Sequence, residues 1–576
     1  MLKKFTSHII VLLAVAVMLG GIGTPGYAQS PAADVFGVVT ISNPQELIPS
    51  IGQFIDQFQP GMGGMVNPMM VGNMVFKNPN WTGMDMAGEY KIVVLNPMKY
   101  AQAPFAVVVP LTNQDEYLGA ISQSLTAGEE ADGIYTFMQP NQKNLFMGFA
   151  GGQGIMSENT DVASQVKALV EAESPVLAQT PAVKGQIAAF IDLDKILTAV
   201  RPMIDMFKQQ FLTELESEMP QEGEGEAPAA MKNMLQAEIE MTLALIDQIQ
   251  KLQLGVSLEP EGLRLSKAVF AMSGSPMEAF MAAQTPQAPP MLGLIPADSG
   301  MIMTGTMELT EAFIEGYPSF MESMAGVAKD PETAQQVTSW AQQAFELFDG
   351  DFAFGALSST GQTLITEVFT ISDTAKAKQL FEQYPQMFQL MTGMYEELGL
   401  DMSMTLTDTV EVSGGEILNY AFDMDFAEMI PDPEGQEVFQ SIFGDQVSLP
   451  VGFIDNYSVI AIGGDARAQV EAMMAAIESG ETGAAEHTPA MFGLPEENNM
   501  FMYISIPNML GWAVQYIPEA PPFDLEMLQQ DSPGFGMAGR FIESHFEGEL
   551  YLPIQEMLTI KTIVEQAQAP SQPSMQ

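Results

Sequence analysis

Between Pro60 and Gly88 stand Met62, Met65, Met69, Met70, Met74, Met84 and Met86, seven methionines in 29 residues where the chain's 45 in 576 would place about two. Thioethers packed this closely are soft ligands suited to Cu(I), which an exported protein can hold without thiols. The same side chains are flexible and apolar, so two other readings compete: filler packed under or beside a sheet, and an adaptable apolar surface for a lipid or partner peptide. Paired carboxylates are the next candidates. Asp192/Asp194, Asp349/Asp351 and Asp423/Asp425 have the residue type for acid–base hydrolysis of glycosides, which depends on a through-space separation that spacing along the chain does not fix. With 72 acidic residues such pairs also arise by chance. The run Glu214, Glu216, Glu218, Glu222, Glu224 and Glu226 lacks the fixed glycine and closing glutamate of a calcium loop and reads as a solvated tip.

Nitrogen ligands are scarce. His8, His487 and His545 are the three histidines, so a zinc site would draw mostly on carboxylates. His487 falls in Glu486-His487-Thr488-Pro489, which reads as a linker, and His545 in an alternating strand. Four arginines, Arg201, Arg264, Arg467 and Arg540, leave little to grip a phosphate bidentately, and no phosphate ligand is expected. Gly151-Gly152-Gln153-Gly154 lacks the Lys-Ser/Thr ending of a phosphate loop and reads as a turn. No cofactor and no catalytic residue is expected.

Acidic residues outnumber basic ones 72 to 21, a net charge of −51 that repels phosphate backbones and excludes nucleic acid as a partner. With 47% apolar and 16% charged residues the chain can fill packed cores. Lys3 and Lys4 precede an apolar stretch from Ile9 to Ile22, and Gly26-Tyr27-Ala28 precedes Gln29. This reads as a signal peptide over residues 1–28 and predicts a soluble periplasmic or extracellular protein. Because the chain has no cysteine, neither a lipid anchor nor a disulfide scaffold is expected.

The elements that must position these residues recur. FGVVTI runs into Asn43-Pro44-Gln45-Glu46, a helix start with Asn43 as cap, Pro44 at the first position and Glu46 reaching back. Leu47, Ile48, Ile51, Phe54 and Ile55 follow at helical spacing. The pattern returns over 187–200 with Asp192 or Asp194 at the cap, over 301–314 with Thr306, and over 500–514 with Ser505. A second unit, strands feeding a capped helix, places caps at Asn113, near Asn159, at Ser372 or Asp373, and at Asp465. Leu252 to Leu265 reads as a hairpin turning at Glu259-Pro260-Glu261-Gly262.

The order of units, long, short, long, short, predicts two tandem homologous halves. The first spans 29–287 (modules about 34–172 and 181–283) and the second 288–568 (modules about 292–480 and 490–568), with a tail over 569–576. Each half is expected to be α+β, a mainly antiparallel or mixed sheet with helices packed on one face. GVVTISNPQELIPSI (37–51) and SVIAIGGDARAQVEAMMAAI (458–477) resemble, in pattern, a broad group of secreted bacterial repeat-built α+β proteins of unknown function. That resemblance implies an exported protein without a reaction centre. The expectation is a non-catalytic binding or structural protein of the cell envelope, holding an apolar ligand or envelope protein in a Met/Phe-lined groove. A copper-binding protein using the seven methionines is the alternative, and a carboxylate-based hydrolase the third.

Overall fold

The computed structural model describes residues 34–178, 182–183, 185–218, 239, 242–310, 331–358, 363–392, 402–424, 433–443, 447–480, 487–514 and 533–568. The segment read as a signal peptide, residues 311–330, most of the acidic tip, Asp425 and the tail lie outside these. The chain divides into two compact units, Met1–Lys208 with Ile249–Phe270, and Gln209–Gln248 with Ala271–Gln576.

In the first unit β1 (Val35–Ser42) leads through α1 (Pro44–Phe58) and α2 (Pro68–Phe76) to β2 (Glu89–Leu95) and β3 (Phe105–Pro110). Then α3 (Gln114–Ser124) carries the chain to a meander of β4 (Thr126–Ala131), β5 (Ile134–Met138), β6 (Asn144–Ala150) and β7 (Gln153–Ser157). After α4 (Thr160–Glu171) come β8 (Ile187–Asp192), α5 (Leu193–Glu218, of which the part to Lys208 belongs here), β9 (Ile249–Glu259) and β10 (Gly262–Ala271). The strands lie side by side as β4-β5-β6-β7-β3-β2-β1-β8-β9-β10, and every pair whose register is defined is antiparallel.

Both faces of this sheet are covered, which corrects the expectation of helices on one face. Val38, Val93, Val108 and Ile155 pack against Val162, Val166 and Leu169 of α4. Tyr90, Val109, Met147 and Met156 point the other way, onto Ile48 of α1, Phe76 of α2, and Tyr117 and Ile121 of α3. Along α5, Ile196 and Val200 pack on Phe36. The physical reason is in the strands: Val108-Val109 and Ile155-Met156 are buried in succession, and a strand buried on two faces reads as a continuous apolar run rather than an alternation.

The second unit follows with β11 (Ser299–Thr306), α6 (Pro331–Leu347), β12 (Phe348–Ser358), β13 (Thr363–Ile371), α7 (Thr374–Glu382) and α8 (Tyr384–Thr392). Next are β14 (Met402–Val412), β15 (Gly415–Met424), β16 (Val447–Ile454), β17 (Tyr457–Gly463) and α9 (Ala466–Ser479). It closes with β18 (Met500–Ile504), α10 (Ile506–Ala513), β19 (Phe535–Ile542), β20 (His545–Pro553) and α11 (Ile554–Gln568). Its strand order, β14-β15-β16-β17-β13-β12-β11-β18-β19-β20, repeats that of the first unit position for position. Again α9 covers one face through Val470, Met473 and Met474, and α7 and α8 the other, around Leu418, Tyr420 and Phe453.

The registers repeat as well. Placing Val38 on Ile302 and walking across the paired strands brings Ala106 onto Thr366, and seven residues on, Asn113 onto Asp373. Both cap the following helix through their side chains. The same walk brings Phe190 onto Tyr503, so that Asp192 meets Ser505, and each accepts the amide three residues on, from Lys195 at 3.2 Å and from Asn508 at 3.2 Å. It also brings Gly148 onto Gly452. A Cβ at Gly452 would lie 2.5 Å from Met474 Sδ, and one at Gly148 would lie 3.2 Å from Lys167 Cδ, so in each unit a glycine lets a helix settle on the sheet.

Three local readings need correction, and the first is Asp465, which stands at the start of α9 but makes no side-chain cap bond. Asn43 takes a left-handed conformation (φ 48°) and makes no side-chain cap bond. Its own N–H donates to Gly88 O, and the first-turn amide of Gln45 donates to Met86 O at 3.1 Å, so backbone from the next loop does the capping. His487, read as linker, stacks on Tyr503 with ring centroids 3.8 Å apart and approaches Ala297 O at 2.9 Å through Nε2. His545 lies on a strand as expected, 3.2 Å from Glu547.

Candidate functional site: a methionine face on a helical hairpin

The methionine-rich segment begins after α1 and carries α2, so most of it is built on helix and turn. Asn67 caps α2 by accepting from Met70 N at 3.0 Å, and Pro68 takes the first helical position. At the other end Lys77 is left-handed (φ 53°), Asn78 N closes onto Gly72 O at 2.9 Å, and Lys77 Nζ donates to Met74 O at 3.0 Å, a cation at the negative end of the helix. The turn joining α1 to α2 is tied by Asp56, whose Oδ1 accepts from Gly61 N at 3.1 Å and Gly63 N at 2.6 Å.

The underside of α2 is fixed by aromatic packing. Gly72 and Phe76 are buried there. Trp81 donates from Nε1 to Pro68 O at 2.7 Å, its ring lies 5.1 Å from Phe76 and 6.0 Å from Tyr90, and Phe76 lies 5.6 Å from Tyr90. Tyr90 donates to Asp85 O at 3.0 Å, and burial pushes its hydroxyl well above the ordinary tyrosine range, with the Asp85 carboxylate adding to the shift.

The opposite side is open. Met62, Met65, Met69, Met70 and Met74 are 36–64% exposed, and Val75 is 56% exposed. Of the fifteen exposed large hydrophobic residues among those described, six therefore fall within residues 62–75; the other nine are spread over the rest of the chain. Exposed apolar side chains concentrated in one short segment point to a binding surface, whereas single exposed apolar residues do not. Met84 is buried in the core and Met86 is half-buried, so the structure brings five of the seven methionines to the surface and leaves two out. The exposed face belongs to a helix and a turn rather than to a groove.

One member of each of two carboxylate pairs has structural work. Asp192 is 3.0 Å from Lys195 Nζ as well as capping; Asp351 accepts from Gln287 Nε2 at 3.0 Å; Asp425 is outside the described residues. Among the described residues no group of three or more His, Asp or Glu side chains is arranged to hold a metal ion. No helix among them is long and apolar enough to cross a membrane.

Three features escaped sequence reasoning. The Trp81, Phe76 and Tyr90 support had no periodic signal, because its members come from three different segments. Asp34, 3% exposed, accepts from Lys99 Nζ at 2.5 Å and from Tyr100 O–H at 3.4 Å, a tie between the start of β1 and the β2–β3 loop. Glu367 sits mid-strand in β13, where burial raises its carboxyl above the usual range.

The chain is thus an antiparallel α+β protein with helices on both faces of its sheet layers and, among the described residues, one concentration of exposed apolar side chains. No family model matches it, and no curated protein or solved structure is similar to it.

Proposed function

We propose that this is an exported, non-catalytic binding protein of the bacterial cell envelope that docks a partner protein on the methionine face of residues 62–75. The observation that carries the reading is that five adjacent thioethers stand exposed on a hairpin whose other side is bolted down by Trp81, Asp56 and Gly72. Flexible thioethers on a rigid backbone re-pack around varied apolar shapes, and the ordering cost falls on the side chains rather than on the backbone. With a chain charge of −51, the partner that fits is an apolar segment rimmed by lysine or arginine. The paired strand orders, the Asn113/Asp373 and Asp192/Ser505 caps and the Gly148/Gly452 helix seats support a further part of the reading, that the chain is a tandem pair of homologous halves.

The test uses a designed 18-residue Leu/Lys amphipathic helix and its Leu/Glu counterpart, each carrying a fluorophore, titrated with the full chain. Binding of the basic peptide, its loss when Met65, Met69, Met70 and Met74 are changed together to Ser, and no binding of the acidic peptide are expected. Equal binding of the basic peptide by native and serine proteins would refute the site. Exposure of five soft ligands also favours a second reading, Cu(I) binding. There, replacing Met65, Met69 and Met70 by Leu should abolish copper uptake against a competing chelator while leaving peptide binding in place.

A further inference from the structure

We propose that the methionine face is an oxidation switch, a site at which hydroperoxides or hypohalous acids turn an apolar docking surface into a polar one while the fold stays intact. This inference rests on the docking reading above. Met62, Met65, Met69, Met70 and Met74 present open thioethers, and the chain has no cysteine to compete for oxidant. Oxidation of methionine replaces an apolar side chain by a polar, chiral sulfoxide. With hydrogen peroxide a sulfur lone pair attacks one peroxide oxygen: an S–O bond forms, the O–O bond breaks, and the departing oxygen leaves with both hydrogens as water; an organic hydroperoxide leaves as its alcohol, and a hypohalous acid leaves halide and a proton. Sulfur is oxidised by two electrons and the peroxide is reduced by two. Sulfoxide reductases reverse the change, so the surface is resettable.

What makes the site a switch rather than a lesion is the division of labour across α2. The side chains that hold the hairpin down are not the ones that oxidise: Trp81 bonds to Pro68 O, Phe76 and Tyr90 stack beside it, and Asp56 ties the turn through Gly61 and Gly63. Core methionines such as Met84, Met147, Met473 and Met474 are at most 6% exposed and are shielded from aqueous oxidant in the folded protein. Met138, Met206 and Met491 are also open and belong to other segments of the chain.

The experiment treats the full chain with graded hydrogen peroxide. It follows each sulfur by peptide mass spectrometry, the fold by circular dichroism, and docking by titration with the basic Leu/Lys peptide. Expected are complete sulfoxide formation at the five sulfurs while Met84, Met473 and Met474 stay reduced, an unchanged spectrum, and a loss of peptide affinity of about tenfold or more, reversed by sulfoxide reductase. A protein with the exposed Met138, Met206 and Met491 changed to Leu should bind the peptide as the native protein does and lose affinity equally after peroxide. If the oxidised native protein binds within about twofold of the reduced form, or the Leu protein keeps its affinity after peroxide, the switch is overturned and the docking site stands. If the reduced native protein does not bind the peptide at all, both fall.

Discussion

Changing Gly72 to Ala sets two effects of opposite sign against each other. In a helix Ala is favoured over Gly by roughly 1 kcal/mol, so propensity alone predicts a gain in stability. The structure predicts a loss. A Cβ at Gly72 would lie 2.6 Å from Asn78 O and 2.7 Å from Trp81 Nε1, far inside ordinary contact. Neither neighbour yields freely: Trp81 is held by its 2.7 Å bond to Pro68 O and by two aromatic neighbours, and Asn78 is the closing residue of the helix. Overpacking of this kind costs about 1–3 kcal/mol, which offsets the propensity gain and leaves a net loss of up to about 2 kcal/mol. Gly119, exposed in α3 with nothing within 4 Å of its Cβ position, is the control, and Gly119→Ala should stabilise by about 0.5–1 kcal/mol. With Trp340 and Trp512 changed to Phe, Trp81 is the last of the three tryptophans and reports urea unfolding of its own surroundings. The two alanine proteins should shift the midpoint in opposite directions. A Gly72→Ala protein as stable as Gly119→Ala would refute the seating of α2 on Trp81 and with it the rigid presentation of the methionines.

Asp34→Asn should cost about 1 kcal/mol near pH 8, the value of a charge-assisted bond discounted for the solvent access of Lys99. The bond to Asp34 raises the Lys99 ammonium above its ordinary value, so this contribution is whole below the unfolded lysine pKa and is lost as pH rises through the folded one. The gap between the native and Asp34→Asn proteins in urea should therefore close toward pH 11. Burial raises the Glu367 carboxyl, so its protonated form favours folding and stability falls as pH climbs through the raised value. Glu367→Gln should accordingly be more stable than native at pH 7 and no more stable at pH 4, read by thermal melts. Burial pushes the Tyr503 hydroxyl up to about 12 and also raises Tyr90, Tyr117 and Tyr420. Stability is then intact below the ordinary tyrosine value of about 10 and declines above it, and absorbance at 295 nm should show these tyrosines ionising only as circular dichroism is lost.

What was legible in the sequence was local. Asn113, Asn159 and Ser505 cap helices through their side chains as their spacing indicated, and of Ser372 and Asp373 it is Asp373 that accepts the helix amide, because these signals depend on three or four residues in a row. The Gly151-Gly152 turn, with φ of 54° and 73°, joins β6 to β7 as read. The strand order was not legible, since antiparallel neighbours are chosen across long stretches of chain. Nor was the second helix layer: FAVVVP and QGIMS look like half of an alternating strand until helices are found on both sides. Asn43 misled because the Gln45 amide it was expected to cap donates to Met86 O, and its own N–H, to which Glu46 was expected to reach back, donates to Gly88 O, residues more than forty positions away. In PMMVGNMVF (68–76) the apolar residues run all round the helix, so which face would be exposed depended on Trp81, a partner that periodicity does not reveal.

The connections themselves argue for where function sits. Neighbouring antiparallel strands need only a two-residue turn between them, and β6–β7 and β9–β10 are joined that way. Yet β1 and β2, which pair directly over Ser42 and Glu89, are joined by a path from Asn43 to Gly88 that carries two helices, and β8 and β9, β11 and β12, and β18 and β19 are likewise adjacent and joined by long excursions. The sheet gains nothing in its pairing from these insertions. Its own interior is constrained on two sides, so that some register-equivalent positions hold matched caps and glycines, although others differ, as where Glu367 stands in the place of Val107. Variation that carries recognition has to fall outside that double layer, on segments the sheet anchors but does not require. The one among the described residues that concentrates exposed apolar side chains is the α1–α2 excursion, where the anchoring contacts face inward and the methionines face out.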